Sequence, residues 1–223
     1  MTAEPAHLAA VRESYDTVAA DYVRLVVPPE GMDPVSRAML AAFAELVRES
    51  GGGEVADLGC GPGRVTAYLD GLGLSAFGVD VSGEMVALAR RAYPQLCFLQ
   101  GSMAALDLDS ASLGSILAWY SIHHTPPEQL PELFAEFARV LAPGGHLLLG
   151  GHVGDAQLRP ATGYGHPVSY ASHLVPADRL VELLEQAGFT VTTRLEQPHP
   201  QKVDRSYVCL LARLGTVGHR PAD

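Results

Sequence analysis

Short apolar runs alternate with segments of helical pattern along most of this 223-residue chain, and this alternation constrains the fold more than any other feature. The runs are apolar over nearly their whole length, which is typical of parallel strands that are covered on both faces. Helical periodicity separates several of them, over 64–72, 83–93 and 128–141. We therefore predict an α/β fold in which helices pack on both sides of a parallel sheet. The five predicted parallel strands are Glu54–Leu58, Ala76–Val81, Leu96–Gln100, Ser115–Trp119 and His146–Gly150.

Two helices are predicted before the first strand. Residues 8–25 place apolar and aromatic side chains three and four positions apart, which is one face of a helix. A second helix begins with Asp33 as its N-cap and Pro34 in its first turn, and the glycines from Gly51 onward end it. We interpret residues 1–50 as a helical lid next to the sheet.

The chain after residue 150 changes character. Residues 151–175 are rich in Gly, His and Tyr without periodicity, and we interpret them as a long substrate loop. A helix over 177–187 follows, and then two strands over 189–195 and 206–211. The connection between these strands is too short for a crossover helix, so the pair is predicted to be antiparallel. The predicted divisions of the chain are a lid over 1–50, a main domain over 51–213 and a loose tail over 214–223.

Composition excludes several classes of protein. Hydrophobic residues make up 48% of the chain, which is enough for a large core and excludes wholesale disorder. The formal net charge of −10 disfavours a nucleic-acid partner, because proteins that bind a phosphate backbone are normally basic. We recognise no transmembrane run, basic membrane-binding patch or signal-peptide pattern, and we expect a cytoplasmic protein. Cys60, Cys97 and Cys209 are odd in number and far apart, so no disulfide framework is predicted.

The sharpest motif is the glycine-rich turn Asp57-Leu58-Gly59-Cys60-Gly61-Pro62-Gly63, between the first strand and the next helix. Its glycines let the backbone approach a ligand, and the helix start offers free N–H groups. The spacing Gly-x-Gly-x-Gly differs from the Gly-x-Gly-x-x-Gly of dinucleotide sites. Asp57 would repel a pyrophosphate but suits a cationic amine, and Asp80 after the second strand can accept from two ribose hydroxyls. The implied ligand has an amine, a carboxylate, a ribose and no pyrophosphate, and S-adenosylmethionine fits this description.

Three segments, taken in order, resemble the motifs of class I S-adenosylmethionine-dependent methyltransferases, with most similarity to the ubiquinone and menaquinone biosynthesis branch. These segments are Glu54–Gly63, Gly78–Asp80 and Leu141–Gly145. The resemblance implies a Rossmann-like three-layer sandwich with an N-terminal helical lid. It also implies seven strands in the order 3-2-1-4-5-7-6, of which the seventh is antiparallel. This order agrees with the antiparallel pair that the short connection predicts independently.

The resemblance further implies a set of cofactor contacts, position by position. Asp57 and the glycine turn would hold the methionine part, Asp80 the ribose, and Val81 with Met85 the two sides of the adenine. Ser102 stands where the family usually has an acid or Asn, so this position departs from the family pattern. The implied cofactor set is Tyr22, Asp57, Gly59, Cys60, Gly61, Gly63, Asp80, Val81, Met85, Ser102, Met103 and Tyr120.

The residues that follow the fourth and fifth strands are the candidates for acceptor chemistry, because ligands of open parallel sheets bind at the carboxyl ends of the strands. Histidine titrates near neutrality, and His123, His124 and His152 are therefore the predicted catalytic residues, acting as general bases. The alternative is that these imidazoles cap a helix, pack under the loop or are solvated. The His and carboxylate spacings are not those of a metal site, so no metal is predicted.

These features together predict an S-adenosylmethionine-dependent methyltransferase that acts on oxygen or nitrogen of a small molecule, without nucleic acid or membrane as partner. One alternative is a protein of the same fold that binds S-adenosylmethionine without transferring a methyl group. Another is a nicotinamide-dependent oxidoreductase, which the glycine spacing and Asp57 oppose. The sequence does not define the acceptor or the oligomeric state.

Overall fold

The computed structural model of this chain describes residues 4–200, 202 and 204–216, and a seven-stranded sheet lies at its centre. In chain order its strands are β1 (Val55–Leu58), β2 (Ala76–Asp80), β3 (Phe98–Gln100), β4 (Leu113–Trp119), β5 (Leu141–Gly154), β6 (Phe189–Pro198) and β7 (Arg205–Leu214). Their spatial order is 3-2-1-4-5-7-6, with β1 to β5 parallel and β7 antiparallel to both of its neighbours. The predicted strand order and the reversed last strand are therefore confirmed.

Helices cover both faces of this sheet. Successive residues of a strand point to opposite faces, so β4 sends Ile116 into one core and Leu117 into the other. In chain order the helices are α1 (Ala6–Leu25), α2 (Pro34–Glu49), α3 (Arg64–Gly71), α4 (Gly83–Ala92), α5 (Leu130–Val140) and α6 (Ala177–Gln186). Helices α5 and α6 pack on the first core and α2 on the second, which gives the predicted three-layer sandwich. Within the described ranges, no helix has the length and apolarity needed to span a bilayer.

The second helix belongs to the sandwich and not to a lid. Leu40, Phe43 and Val47 of α2 are fully buried in the core beneath the sheet. As predicted from the sequence, Asp33 caps this helix, since its carboxylate accepts hydrogen bonds from two backbone N–H groups in the first turn. Only α1 is left to cover the carboxyl-terminal edge of the sheet, where it contacts α4. The lid interpretation of residues 1–50 is therefore wrong for α2, and for α1 it stays a prediction.

The predicted loop over 151–175 is largely paired, which corrects the sequence interpretation. Strand β5 continues past Gly150 to Gly154 because β7 pairs with it over that length. Two antiparallel ribbons follow, the first between Ala156–Leu158 and Ser172–Leu174 and the second between Thr162–Gly163 and His166–Pro167. Strands of two or three residues are too short to show an alternating pattern. We refer to residues 162–171 as the tyrosine ribbon.

The last strand extends slightly beyond its predicted end. Leu214 pairs with Phe189, so the first residue of the predicted tail over 214–223 is part of β7. Residues 217–223 of that tail lie outside the described residues.

We expect Gly63→Ala to lower the free energy of unfolding by about 2–4 kcal/mol. Gly63 has a φ of +78°, and an added Cβ would lie 2.6 Å from Cζ of the buried Phe98 and 3.0 Å from Cβ of Ala89. The left-handed conformation costs an alanine roughly 1–2 kcal/mol, and overpacking a core adds about 1–3 kcal/mol. Gly73→Ala is the matched control, since Gly73 has a φ of +85° with open space around it. Urea unfolding followed by circular dichroism measures both variants, and equal losses would show that the contact with Phe98 is unimportant.

Candidate active site

Two adjoining cavities open at the carboxyl ends of the parallel strands, where open α/β sheets bind their ligands. The larger cavity has a volume of about 930 Å³ and the smaller one about 440 Å³. Both lie next to α1 and the glycine turn. The residues that line both cavities, which we refer to as the junction, are Tyr15, Tyr22, Gly59, Gly61, Trp119, Tyr120 and His124.

The turn after β1 exposes bare backbone to both cavities. Gly59 has a φ of +78°, and an added Cβ would lie 2.3 Å from Cβ of Ser121, so only glycine fits there. An added Cβ on Gly61 would meet nothing within 4 Å, because this residue borders open space. A ligand can therefore approach the main chain of the turn closely.

Asp80 ties the end of β2 to this turn. Its carboxylate accepts one hydrogen bond from the backbone N–H of Gly61 and one from that of Ser82, both at 2.8 Å. Burial raises the pKa of Asp80 to about 6. A carboxylate has about four lone-pair sites, so Asp80, which lines the smaller cavity, can accept further hydrogen bonds from a ligand.

Asp57 provides a second carboxylate, at the end of β1. It is buried, lines the larger cavity and accepts a hydrogen bond of 2.6 Å from the Thr66 hydroxyl. Burial raises the pKa of Asp57 to about 7, and the charge of Asp80 adds to this effect. A cationic group in the cavity would favour the ionised form of Asp57.

The predicted adenine contacts lie together around the smaller cavity. Val81, Met85, Ser102 and Met103 all line it, and Met85 is almost completely buried. The Ser102 hydroxyl accepts a hydrogen bond from the backbone N–H of Ala104 at 3.2 Å, which leaves its own proton to donate. Apolar walls with a few polar groups are what a cavity for a purine requires.

Two members of the predicted cofactor set have structural explanations for their residue type. Gly63 lines neither cavity, and its contact with Phe98 accounts for its lack of a side chain. Cys60 lines the larger cavity and packs on Gly78, where an added Cβ would lie 2.6 Å from its Sγ. Burial raises the pKa of the Cys60 thiol well above its ordinary value, so this side chain is a neutral part of the wall.

Aromatic rings from α1 and the tyrosine ribbon form a roof over the junction. Tyr15 stacks on Tyr170 with ring centroids 5.6 Å apart, and Tyr22 lies 5.0 Å from Tyr164. Burial raises the pKa of Tyr15 and of Tyr22, so both hydroxyls stay protonated at neutral pH. Polar contacts also join α1 to the ribbon. The backbone N–H of Ser169 donates to the Ser14 hydroxyl, and Nε2 of His166 forms a hydrogen bond with the Asp21 carboxylate.

Sequence reasoning missed the contacts that fix α1 to the cofactor motifs. Asp16 accepts from the Ser82 hydroxyl at 2.6 Å and from the backbone N–H of Glu84 at 3.1 Å, at the N-terminus of α4. Arg64 donates to the carbonyls of Val23 and Val26, at the other end of α1. Acids stabilise a helix N-terminus and cations a helix C-terminus, so these contacts are electrostatically favourable. Their partners are 38 to 68 residues apart, which no local pattern reveals.

His124 lies between α1 and the tyrosine ribbon. Its Nδ1 is 2.8 Å from the carbonyl of Ala171, and its Nε2 is 3.0 Å from the Tyr15 hydroxyl. A carbonyl only accepts, so Nδ1 carries the proton, and Nε2 of the neutral ring accepts from Tyr15. Burial lowers the pKa of His124 to about 4, so the ring is neutral at pH 7. The pair therefore holds an unprotonated imidazole nitrogen at the junction.

His123 and His152 add unpaired polar atoms to the larger cavity. Within the described residues, Nδ1 of each ring is buried without a hydrogen-bond partner, and the same is true of Trp119 Nε1 and Ser121 Oγ. Burial lowers the pKa of His152 to about 4 and that of His123 well below its ordinary value. Nδ1 of His146, which lines neither cavity, is unpaired in the same way, so these atoms do not by themselves mark a ligand site.

Known proteins are similar to this chain in sequence. A sequence profile described as a methyltransferase domain matches residues 55–145. An uncharacterised methyltransferase of Synechocystis is 31% identical over 155 residues, which make up 65% of this chain and 70% of that protein. The chain belongs to the class I S-adenosylmethionine-dependent methyltransferases. This assignment replaces the nicotinamide-dependent alternative.

A second relative of the methyltransferase agrees with the predicted branch. A demethylmenaquinone methyltransferase of Chlorobaculum tepidum is 32% identical over 141 residues, which cover 60% of the methyltransferase and 56% of that protein. Across the first curated relatives, the methyltransferase spans 42% to 70% of their own lengths.

Solved structures share the fold of the methyltransferase at lower identity. The [4+2]-cyclase SpnF has a TM-score of 0.73 at 19% identity, with 97% of the methyltransferase and 98% of that chain covered. The 1,6-didemethyltoxoflavin-N1-methyltransferase of Burkholderia thailandensis, with bound 1,6-didemethyltoxoflavin and S-adenosylhomocysteine, has a TM-score of 0.68 at 24% identity, with 96% and 93% covered. At these identities the matches show the fold. S-adenosylmethionine is the cofactor of the family to which the chain belongs.

We expect the affinity for S-adenosylhomocysteine to rise with pH and to level off above about pH 7. Burial raises the pKa of Asp57 to about 7 and that of Asp80 to about 6, so both carboxyls are protonated at lower pH. A cationic amine favours the ionised carboxylate, so binding releases protons. For each of the two carboxyls, the Kd should therefore rise by up to about tenfold for every pH unit below the pKa of that group. The fluorescence of Trp119, the only tryptophan and a junction residue, follows the titration.

The control ligand for this titration is 5′-methylthioadenosine, which keeps the nucleoside and lacks the amino-acid group. Its affinity should depend less on pH, because it does not place an amine near Asp57. Equal pH dependence for the two ligands would contradict a role of Asp57 in binding the amine.

Proposed function

We propose that the methyltransferase methylates an oxygen or nitrogen of a small, flat acceptor that binds in the larger cavity. The observation that carries this proposal is the Tyr15–His124 pair at the junction of the two cavities. A neutral base at that position suits an acceptor that loses a proton as it is methylated. The volume and the aromatic walls of the larger cavity are those of a small-molecule site.

The cofactor would extend from the smaller cavity to the glycine turn. Asp80 would accept hydrogen bonds from the ribose, and Asp57 would face the cationic amine. The bare backbone at Gly61 supports this placement, because a side chain there would project into the open space next to the turn. The other residues proposed to contact the cofactor are Tyr22, Gly59, Cys60, Val81, Met85, Ser102, Met103 and Tyr120.

S-adenosylmethionine, when bound, supplies an electrophilic methyl group on a positively charged sulfur. The residues of the methyltransferase would then align the acceptor and remove its proton. Alignment alone contributes roughly 7–11 kcal/mol in the most favourable cases. The roof formed by α1 and the tyrosine ribbon supports alignment, since it fixes the rings that border the junction.

The acceptor's proton would leave through Tyr15 to His124. The Tyr15 hydroxyl donates a hydrogen bond to Nε2 of His124. The lone pairs of its oxygen can still accept a hydrogen bond from the O–H or N–H group that is to be methylated. As the methyl group bonds to the acceptor, the acceptor's proton would pass to the Tyr15 oxygen and the Tyr15 proton to Nε2. A pKa of about 4 makes His124 a weak base, so this proton transfer would accompany methyl transfer and not precede it.

Of the three histidines predicted to be catalytic, we therefore assign the base to His124. His123 and His152 would bind the acceptor, because both line the larger cavity. Their neutral rings can donate or accept a single hydrogen bond at Nδ1.

One alternative is favoured by the fold match to a [4+2]-cyclase. In this alternative the chain would bind S-adenosylmethionine in the proposed cofactor site and would not consume it. Incubation with methyl-labelled S-adenosylmethionine and a panel of hydroxy- and amino-arenes separates the two functions. S-adenosylhomocysteine formed together with labelled acceptor supports methyl transfer. Tight cofactor binding without S-adenosylhomocysteine across the panel would favour the alternative.

We expect Asp80→Asn to raise the Kd for S-adenosylmethionine roughly tenfold to hundredfold, because hydrogen bonds to a charged group contribute about 1.5–3 kcal/mol. The asparagine keeps one carbonyl oxygen, which replaces one of the two oxygens that accept from the backbone N–H groups of Gly61 and Ser82. The control is Asp70→Asn, which makes the same change in charge at an exposed position of α3. Calorimetric titration measures both variants, and an unchanged Kd in Asp80→Asn would contradict the ribose assignment.

We expect His124→Ala to lower kcat by about 10²–10⁴-fold, the usual contribution of a general base, with little change in the Kd for S-adenosylhomocysteine. Tyr15→Phe keeps the ring against Tyr170 and removes the hydroxyl, so it should also lower kcat. His173→Ala is the control, because His173 lines neither cavity. If Tyr15→Phe is fully active while His124→Ala is slow, the histidine takes the proton directly. Full activity of both variants would disprove the proton path.

A further inference from the structure

Positive charge gathers at the larger cavity of a strongly acidic protein. The chain has a formal net charge of −10, and four of its 15 Lys and Arg residues line this one cavity. Arg64 is already engaged by the carbonyls at the end of α1. The other three, which we refer to as the cation cluster, are Arg159, Lys202 and Arg205.

The cation cluster is only partly neutralised. Arg205 donates to both oxygens of the neighbouring Asp204, at 3.1 and 3.0 Å. Arg159 and Lys202 form no ion pair with any residue in the described ranges, and Lys202 is the only lysine of the chain. The cluster therefore offers unpaired donors to a ligand.

The acids that line the same cavity are engaged elsewhere. The Asp33 carboxylate accepts from two backbone N–H groups and a hydroxyl at the start of α2. Asp57 lies at the glycine turn and bonds to Thr66. Neither acid is paired with the cation cluster, so the excess positive charge remains.

Two members of the cation cluster, Arg205 and Lys202, lie near an aromatic wall of the cavity. Burial lowers the pKa of His152, and the charges of Arg205 and Lys202 lower it further, which puts both cations near this ring. His152 in turn lies 5.2 Å from the ring of Tyr120 and 4.9 Å from that of Tyr207. Tyr120 and His152 line the cavity, so an acceptor that rests on these two rings would bring its far end to Arg205 and Lys202.

We propose that the acceptor of the methyltransferase is an aromatic compound with an anionic oxygen group, a carboxylate or a phosphate, bound by Arg159, Lys202 and Arg205. This inference rests on the proposed function, because it concerns the acceptor of the same site. Arg and Lys bind carboxylate and phosphate oxygens through charge-assisted hydrogen bonds. The neutral nucleophile of the compound would then face Tyr15 at the junction.

The first test measures binding to the methyltransferase saturated with S-adenosylhomocysteine, by calorimetric titration and without turnover. One probe pair is 1-hydroxy-2-naphthoate and 1-hydroxy-2-naphthamide, and the other is 1-naphthyl phosphate and 1-naphthol. We expect the anion of at least one pair to bind roughly tenfold more tightly than its neutral partner, as for a charged hydrogen bond. This preference should decrease as salt is added. The pair that shows it identifies the anionic group, and equal affinities in both pairs, or no binding by either anion, would overturn the proposal.

The second test uses variants that remove the charges. Arg159→Gln combined with Lys202→Gln should reduce the preference for the anion to about threefold or less. Arg179→Gln, on the exposed face of α6, is the control and should keep the full preference. Unchanged affinity for S-adenosylhomocysteine shows that each variant is folded. A full preference in the double variant would overturn the proposal.

The two proposals can fail separately. If the wild-type protein binds S-adenosylhomocysteine and methylates neutral arenes without preferring anions, the proposed function stands and the anion site is disproved. If it binds the anions more tightly but forms no methylated product from any acceptor, the anion site stands and methyl transfer to this class of compound is disproved.

Discussion

The structure around the cavities depends on the carboxylate of Asp80. Its two oxygens accept from the backbone of Gly61 and Ser82, so they fix the turn after β1 relative to the turn after β2. Ser82 extends this network, because its hydroxyl accepts from the backbone N–H of Met85 and donates to Asp16 of α1. A continuous series of hydrogen bonds therefore connects the glycine turn, the start of α4 and the roof helix. Any group that bonds to Asp80 acts on all three.

This network gives a physical reason for a link between cofactor and roof. Burial is the main cause of the raised pKa of Asp80, and the negative charge of Asp16 adds to it. The position of α1 thus holds a second carboxylate near the first, at an electrostatic cost. Hydroxyl donors on a bound cofactor would stabilise the Asp80 charge and offset part of that cost. The roof would then be most stable when the cofactor is bound, and His124, which needs both Tyr15 and Ala171, would be fixed at the same time.

How much the sequence could predict depends on the range of each interaction. The turn after β1 and Asp80 are local signals, namely an apolar run, spaced glycines and an acid at the end of the next strand. The Tyr15–His124 contact joins residues 109 positions apart, and on the apolar stripe of α1 nothing distinguishes Tyr15 from a core residue. Gly59 and Gly63 are equivalent in the motif and share a φ of +78°. They differ only in their neighbours, a cavity wall for one and the core for the other, and that difference is tertiary.

The distribution of charge along the two cavities also favours one orientation of the bound acceptor. The carboxylates of Asp57 and Asp80 lie at the cofactor motifs, the neutral imidazole of His124 lies at the junction, and the cation cluster lines the larger cavity. A sulfonium and an amine are attracted to the first group, and an anionic acceptor to the last. An acceptor bound in the reverse sense would bring its anion toward two carboxylates in a partly desolvated space, where like charges interact more strongly than in water. Long-range electrostatics would thereby select the orientation before contact, so that Tyr15 and His124 need only recognise a proton.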